Sequence, residues 1–325
     1  MKARQAIIEQ TGGPEVIHWR DVDLDRPGPG EVLVRNEAVG LNFIDAYHRS
    51  GVYPVELPAP LGTEAAGVVE AVGPDVVGFA PGDRVGTFGP ARGAYATARL
   101  VPAKQLIPLP DDLDARTAAA VLLKGCTAEF LAERAARPAA GDWVMVHAAS
   151  GGVGQLLVQW LTALGVKVIG TVGSAPKEAL ARDAGAELVL RTDDPELAAK
   201  VREASGGAGV AVTYDGVGAA TWQSSLASTR RRGLIVSYGN ASGPVTGVIL
   251  GVLSAHGSLY VTRPTLFDYY VGADERRAGA ARLFAMLREG KIQVNIGQTY
   301  PLEQAAQAHR DLEARKTTGS TVLLP

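Results

Sequence analysis

The chain has 325 residues, a length that favours two domains over one. Hydrophobic residues make up 46% and charged residues 20%, as in a globular protein with a sizeable core. A formal net charge of −2 offers no basic field to nucleic acid or membrane, and the single cysteine, Cys126, excludes an intramolecular disulfide and a four-cysteine zinc site.

The opening "MKARQAIIEQTGG" has no apolar segment of signal-peptide length, and no apolar run approaches the roughly 20 residues that span a bilayer. The cytoplasm is the expected compartment. To about residue 110 the chain reads as β structure: "EVLVRNEAVGL", "AAGVVEAVG", "DRVGTF" and "GAYATARLV" lie between Gly/Pro punctuation such as "RPGPGE" and "APGD". Short strands with such turns predict a barrel or sandwich. From about residue 112, "DDLDARTAAAVLLKGCTAEFLAERAA" has helical spacing, closed by Pro138 and Gly141. From Trp143 strand-like runs ("WVMVHA", "VKVIGTV", "LVL", "VAVTYD", "GLIVSYG", "SLYVT") alternate mostly with helical segments. That rhythm predicts a parallel sheet with crossover helices. After Pro264, helical "ERRAGAARLFAMLREGKI" and "PLEQAAQAHRDLEARK" precede a closing strand, "STVLLP". The tail is too short to be a domain and is expected to complete the N-terminal unit. The expected division is therefore 1–120 with 265–325, and 121–264.

"MVHAASGGVGQLLVQW" carries the first chemistry. A dinucleotide fingerprint reads G-x-G-x-x-G between a strand and a helix; here Ala149 stands at the first glycine, with Gly151 and Gly154 at the others. Gly151 would let the backbone approach a pyrophosphate, and Gly154 would let helix pack closely on strand. The helix N-terminus offers unpaired N–H groups and a positive dipole end. Ala149 suggests a slightly wider turn. The helix shows Val153, Leu156, Leu157, Trp160, Leu161 and Leu164 on one face, with Gly165 as its C-terminal stop.

An NAD site would place a carboxylate about 20 residues on, at the tip of the second strand. This strand ends instead in Gly173 and Ser174, with Lys177 just beyond. A small polar residue plus a cation suits a ribose 2′-phosphate, so NADPH is favoured over NADH. The alternative makes Lys177 a solvated helix residue. The five histidines show no metal-ligand spacing, His147 reads as packing, and no G-x-S-x-G nucleophile elbow is present.

Taken together, "VGLNFIDAYHRSGVYP", "LGTEAAGVVEAVG", "PGDRV", "LLKGCTAEFL", "HAASGGVG", "GTVGSAPK", "YDGVG", "RRGLIVSYGNASG", "GSLYVTRP" and "ARKTTGSTVLLP" resemble the quinone oxidoreductase (ζ-crystallin-like) branch of the medium-chain dehydrogenase/reductase superfamily along the entire chain. The resemblance implies an α/β protein: a GroES-like β-barrel-type catalytic domain, closed by the tail, plus a Rossmann doubly wound parallel sheet. Zinc-dependent relatives have G-H-E where this chain has Gly62-Thr63-Glu64, and Asn42 and Asp45 occupy the segment of a ligand cysteine. No metal is expected.

Ser150, Gly152 and Val153 would meet the pyrophosphate, and Ser174 and Lys177 the 2′-phosphate; relatives add a tyrosine where this chain has Thr192. The resemblance places Asn42, Tyr47, Thr127, Gly216, Tyr238, Gly239, Asn240, Arg263 and Arg315 around the nicotinamide half or the phosphates. Asn42, Asp45 and Tyr47 are the expected catalytic positions, although Asp45 could instead cap a short helix and Tyr47 could be a wall aromatic. The expected acceptor is a quinone, in a cleft between the domains. The runner-up acceptor is an α,β-unsaturated carbonyl, and an RNA-binding or crystallin-like role is disfavoured by the missing basic stripe. The apolar edge "GSLYVTR" predicts pairing with a second copy into a homodimer.

Overall fold

A computed structural model describes residues 1–325, which fall into two units. Unit 1 comprises Met1–Lys124, Tyr270–Ala281 and Val294–Pro325; unit 2 comprises Gly125–Tyr269 and Arg282–Gln293. Unit 1 begins with β1 (Lys2–Ile8), β2 (His18–Asp23), β3 (Glu31–Leu41), α1 (Phe43–Ser50), β4 (Ala59–Pro60), β5 (Glu64–Val72), β6 (Arg84–Phe88), β7 (Ala98–Pro102) and β8 (Leu106–Pro108). The division falls inside α2 (Ala115–Glu129).

Unit 2 continues with β9 (Trp143–Val146), α3 (Gly152–Ala163), β10 (Lys167–Val172), α4 (Glu178–Asp183), β11 (Leu188–Arg191), α5 (Leu197–Ala204), β12 (Val210–Asp215), α6 (Trp222–Ser228), β13 (Thr229–Ser237), α7 (Gly251–Ala255), β14 (Tyr260–Thr262) and α8 (Leu266–Tyr269). Its six strands are parallel in the order β11-β10-β9-β12-β13-β14. Counted within the unit, this is 3-2-1-4-5-6, the doubly wound order of dinucleotide-binding sheets. Strands buried on both faces explain the unbroken apolar runs: β12 is buried at all six positions. α3 stops as predicted, with Gly165 at φ +76°.

The tail supplies α9 (Ala273–Arg288), β15 (Ile296–Pro301), α10 (Ala305–Glu313) and β16 (Ser320–Leu324). β16 pairs antiparallel with β3, so the closing strand completes the N-terminal sheet as expected. That sheet runs β15-β16-β3-β5-β6-β8, with β7 also on β3; a second sheet is β2-β1-β4. Leu302, Ala305, Ala308 and Leu323 join Ile8, Leu41, Leu61 and Tyr95 in one buried cluster. Burying four such groups is worth a few kcal/mol, at roughly 25 cal/mol per Å² of apolar area.

Two expectations change. The tail does not return to unit 1 as one block, because Arg282–Gln293 packs with unit 2, anchored by Arg282 on Glu133 (2.8 Å) and by Gln293 N–H on Gln159 Oε1 (2.7 Å). β15 is a strand that the sequence pattern does not announce: half-buried at alternate positions, with Gln298 and Thr299 in the run, it has no apolar stripe. No helix is long and apolar enough to cross a membrane.

Candidate active site

In unit 2, the turn from β9 into α3 is drawn tight. Ala148 has φ +53°, and Gly151 N–H closes on the Ala148 carbonyl at 2.9 Å. A Cβ at Gly154 would stand 2.2 Å from that same oxygen, so only glycine lets α3 come this close. Ala149 is fully buried, and a Cβ at Gly170 of β10 would lie 2.8 Å from its methyl. Gly170 thus makes the room for which a wider turn was expected. Gly151 has no side chain with which to cap α3, leaving the first N–H groups open to an anion. Gln155 Nε2 donates to the Ser150 carbonyl at 2.7 Å and fixes the loop.

At the tip of β10, a Cβ on Gly173 would meet nothing within 4 Å. Ser174 leads into a short turn, Ala175–Lys177, closed by Lys177 N–H on the Ser174 carbonyl at 3.0 Å. Lys177 is half-buried, not simply solvated. Beyond β12, the buried Asp215 carboxylate accepts from the N–H groups of Val217 and Gly218 (both 2.9 Å) and from the hydroxyls of Thr221 and Ser225 (both 2.8 Å). Ser225 also meets His147 Nε2 at 3.1 Å, and Thr171 meets Nδ1 at 2.8 Å. His147 is therefore a structural link; burial lowers its pKa.

The loops after β12 and β13 knit together. A Cβ at Gly239 would be 2.4 Å from the Gly216 carbonyl oxygen, and one at Gly216 would be 2.7 Å from the Tyr238 ring. Arg263 Nη1 donates to the Ser237 carbonyl at 2.9 Å; with the Asn240 amide oriented to satisfy its neighbours, Nη2 donates to its oxygen at 3.2 Å. Gly216, Tyr238, Gly239, Asn240 and Arg263 are thus gathered beyond the carboxyl ends of the sheet, where doubly wound folds bind ligands. Ser150, Gly151, Gly152, Val153 and Gly154 form the turn beside them.

Unit 1 holds a separate polar network. Asn42, the N-cap of α1, donates its Nδ2 to Glu64 Oε2 at 2.8 Å. Glu64 is fully buried and also accepts from Lys124 Nζ (3.3 Å) and Leu123 N–H (2.7 Å). Gly40 makes space for this carboxylate, since a Cβ there would be 2.3 Å from Glu64 Oε2. Asp45, with no exposed surface, accepts from Asn42 N–H (2.9 Å), Thr63 Oγ1 (2.9 Å) and Tyr95 OH (3.2 Å). Tyr95 OH lies 2.9 Å from His309 Nε2. Burial pushes the Asp45 carboxyl up to about 7 and holds His309 down at about 3.

Comparison with known proteins fits both halves of this arrangement. The chain is 50% identical over 315 residues to a quinone oxidoreductase of Pseudomonas aeruginosa, with 97% of each chain covered. It belongs to the quinone oxidoreductase branch of the medium-chain dehydrogenase/reductase superfamily. Residues 28–111 match the alcohol dehydrogenase GroES-like domain, and residues 152–285 match the zinc-binding dehydrogenase family model. The Escherichia coli quinone oxidoreductase, solved in complex with NADPH, superposes with TM-score 0.97 at 43% identity, covering 99% of this chain and 100% of that one. A 2-haloacrylate reductase from Burkholderia is 42% identical over 327 residues, 98% of each chain.

For a quinone oxidoreductase, the residues of unit 2 fit a dinucleotide: the turn is emptied of side chains at Gly151 and Gly154, and space is open at Gly173. In unit 1, the Thr63 hydroxyl donates to Asp45 at 2.9 Å, and no group of three or more His, Cys, Asp or Glu side chains is placed to hold a metal ion. One expected site residue needs correction. Asp45 has no exposed surface and its carboxylate is taken up by three donors, one of them in the capping box of α1, so it acts as the helix cap and positions its neighbours. Asn42 (6% exposed) and Tyr47 (9%) keep a little surface; Tyr47 packs edge-on to Tyr53 at 5.1 Å. Thr127 is buried in α2, and Arg315 is an exposed unit 1 residue beyond α10. The sequence reading misses Glu64, Lys124 and Asp215. Their signal is present: charged residues inside the apolar runs "LGTEAAG", "VLLKGC" and "VAVTYD" need partners when buried.

Asp45 gives a pH prediction. An unfolded carboxyl titrates near 4, so between about 4 and 7 the folded state holds a proton that the unfolded state has lost. Its contribution to stability is full at low pH and is lost as the pH rises to about 7. Asp45→Asn removes that slope. The melting temperature of the variant, relative to wild type, is expected to improve steadily from about pH 4.5 to about pH 7.5. A difference that is flat with pH refutes the assignment.

Proposed function

We propose that this chain is an NADPH-dependent, zinc-independent reductase that delivers reducing equivalents to quinones. The observation that carries the reading is the tight turn at Ala149–Gly154, bare of side chains at Gly151, Gly152 and Gly154, followed by Ser174 and Lys177 at the tip of the second strand, in a chain half identical to a quinone oxidoreductase. NADPH supplies the reducing equivalent when bound; the protein binds and orients it. Ser150, Gly152 and Val153 hold the pyrophosphate, and Ser174 and Lys177 hold the 2′-phosphate. Gly216, Tyr238, Gly239, Asn240 and Arg263, with Thr127 and Arg315, serve the nicotinamide half and the phosphates. Asn42, held by Glu64, and Tyr47 face the acceptor, whose oxygens take protons from water.

The test is NADPH oxidation against a panel of quinones and enones before and after dialysis against a strong chelator. Quinone turnover that survives chelation is expected. Turnover of enones alone, or activity lost and restored by zinc, overturns the proposal. Likeness to the 2-haloacrylate reductase favours alkene reduction as the second reading, with the Tyr47 hydroxyl as its proton donor.

The chain is proposed to work in the cytoplasm as a homodimer. β14 is the last strand of its sheet, with Tyr260 59% and Val261 39% exposed and one backbone edge unpaired. Sedimentation at micromolar concentration should give twice the chain mass; a monomer alone contradicts it.

A further inference from the structure

The 2′-phosphate subsite just proposed lacks an aromatic partner at Thr192, yet the strand beside it ends in a cation. β10 and β11 are parallel and in register, so Arg191 lies level with Val172, the last residue of β10. Its side chain reaches across the strand tips: Nη2 donates to the Gly173 carbonyl at 3.1 Å and to Asp193 Oδ2 at 3.2 Å. Nε is buried without a hydrogen-bond partner. One nitrogen therefore makes both bonds, and Nε remains an unmet donor. The guanidinium is anchored to the residue that precedes Ser174, which itself lies three positions before Lys177.

We propose that Arg191 is a specificity residue for the ribose 2′-phosphate, replacing the contact that Thr192 cannot make, with Asp193 as its resting counter-ion. A planar guanidinium presents several donors to phosphate oxygens, which a hydroxyl such as Thr192 cannot. Asp193 is 75% exposed and Arg191 34%, so this ion pair is weak and yields readily to a dianion. The carboxylate swings into water, and Arg191 keeps its bond to Gly173. Asp193 then opposes the phosphate by charge alone, which sets an upper limit on the preference.

The inference rests on the NADPH reading, and its test separates the two. Full-length protein without cofactor is titrated calorimetrically with 2′,5′-ADP and with 5′-AMP, which differ only in the 2′-phosphate. Wild type is expected to bind 2′,5′-ADP the more tightly; equal affinities would refute the NADPH reading itself. Arg191→Gln is expected to weaken 2′,5′-ADP by roughly ten- to a hundred-fold and leave 5′-AMP unchanged. Asp193→Asn is expected to tighten 2′,5′-ADP several-fold, again without effect on 5′-AMP. If Arg191→Gln binds 2′,5′-ADP as wild type does, or weakens both ligands equally, Arg191 has no part in recognising the phosphate.

Discussion

Gly154→Ala is expected to weaken NADPH binding by roughly ten- to a hundred-fold, the cost of losing a hydrogen bond to a charged group. The added methyl would lie 2.2 Å from the Ala148 carbonyl oxygen and 2.9 Å from the Ala149 Cα. Both are backbone atoms, so no side chain can rotate away. Ala149 cannot retreat either, because its own methyl is already seated against Gly170. α3 must move outward, and its N-terminal N–H groups move with it, away from where a pyrophosphate would sit. Overpacking of this kind also costs about 1–3 kcal/mol of stability. Gly251→Ala is the control: a Cβ there meets nothing within 4 Å, and affinity should stay within about two-fold of wild type. Fluorescence titration of both variants decides the matter. Wild-type affinity in Gly154→Ala would mean that the close approach of α3 has no role in binding.

That turn is legible in the sequence because its chemistry is local. Three glycines between an apolar strand and an amphipathic helix are needed wherever backbone must come close to backbone or phosphate. The strands of unit 2 are legible for a related reason, since burial on both faces leaves unbroken apolar runs such as "VAVTYD". What sequence does not disclose depends on residues far apart along the chain. Gly170 matters only because β10 lies beside β9 and Ala149. Asp45 looks catalytic as a polar residue in a glycine-bounded loop; its burial depends on Thr63, on Tyr95 and, through Tyr95, on His309 from the returning tail. Arg191 escapes notice because its reach to Gly173 exists only once β11 is laid in register with β10. Ser174 and Lys177, close together in sequence, need no such knowledge.

Lys124→Met is expected to destabilise the protein by about 3–5 kcal/mol, the usual cost of removing one partner from a buried ion pair. Lys124 and Glu64 have side chains 7% and 0% exposed, and their charges meet at 3.3 Å. Methionine keeps the shape of the stem and removes only the ammonium. Glu64 is then left fully buried with two N–H donors, from Asn42 and Leu123, and no hydrogen-bonded cation. For a unit of this size the midpoint of thermal unfolding should fall by roughly 10 °C. Glu64→Gln alone should cost a similar amount, because it strands the lysine instead. The double variant is the decisive measurement. With both charges gone, the double variant should lose clearly less than the sum of the two single losses; recovery is incomplete because the one amide oxygen at position 64 can accept from Asn42 or from the Leu123 N–H but not from both. The coupling energy is then well above zero. If Lys124→Met melts with wild type, or if the double variant loses the sum of the two single losses, the pair does not hold Asn42 in place through a shared buried charge.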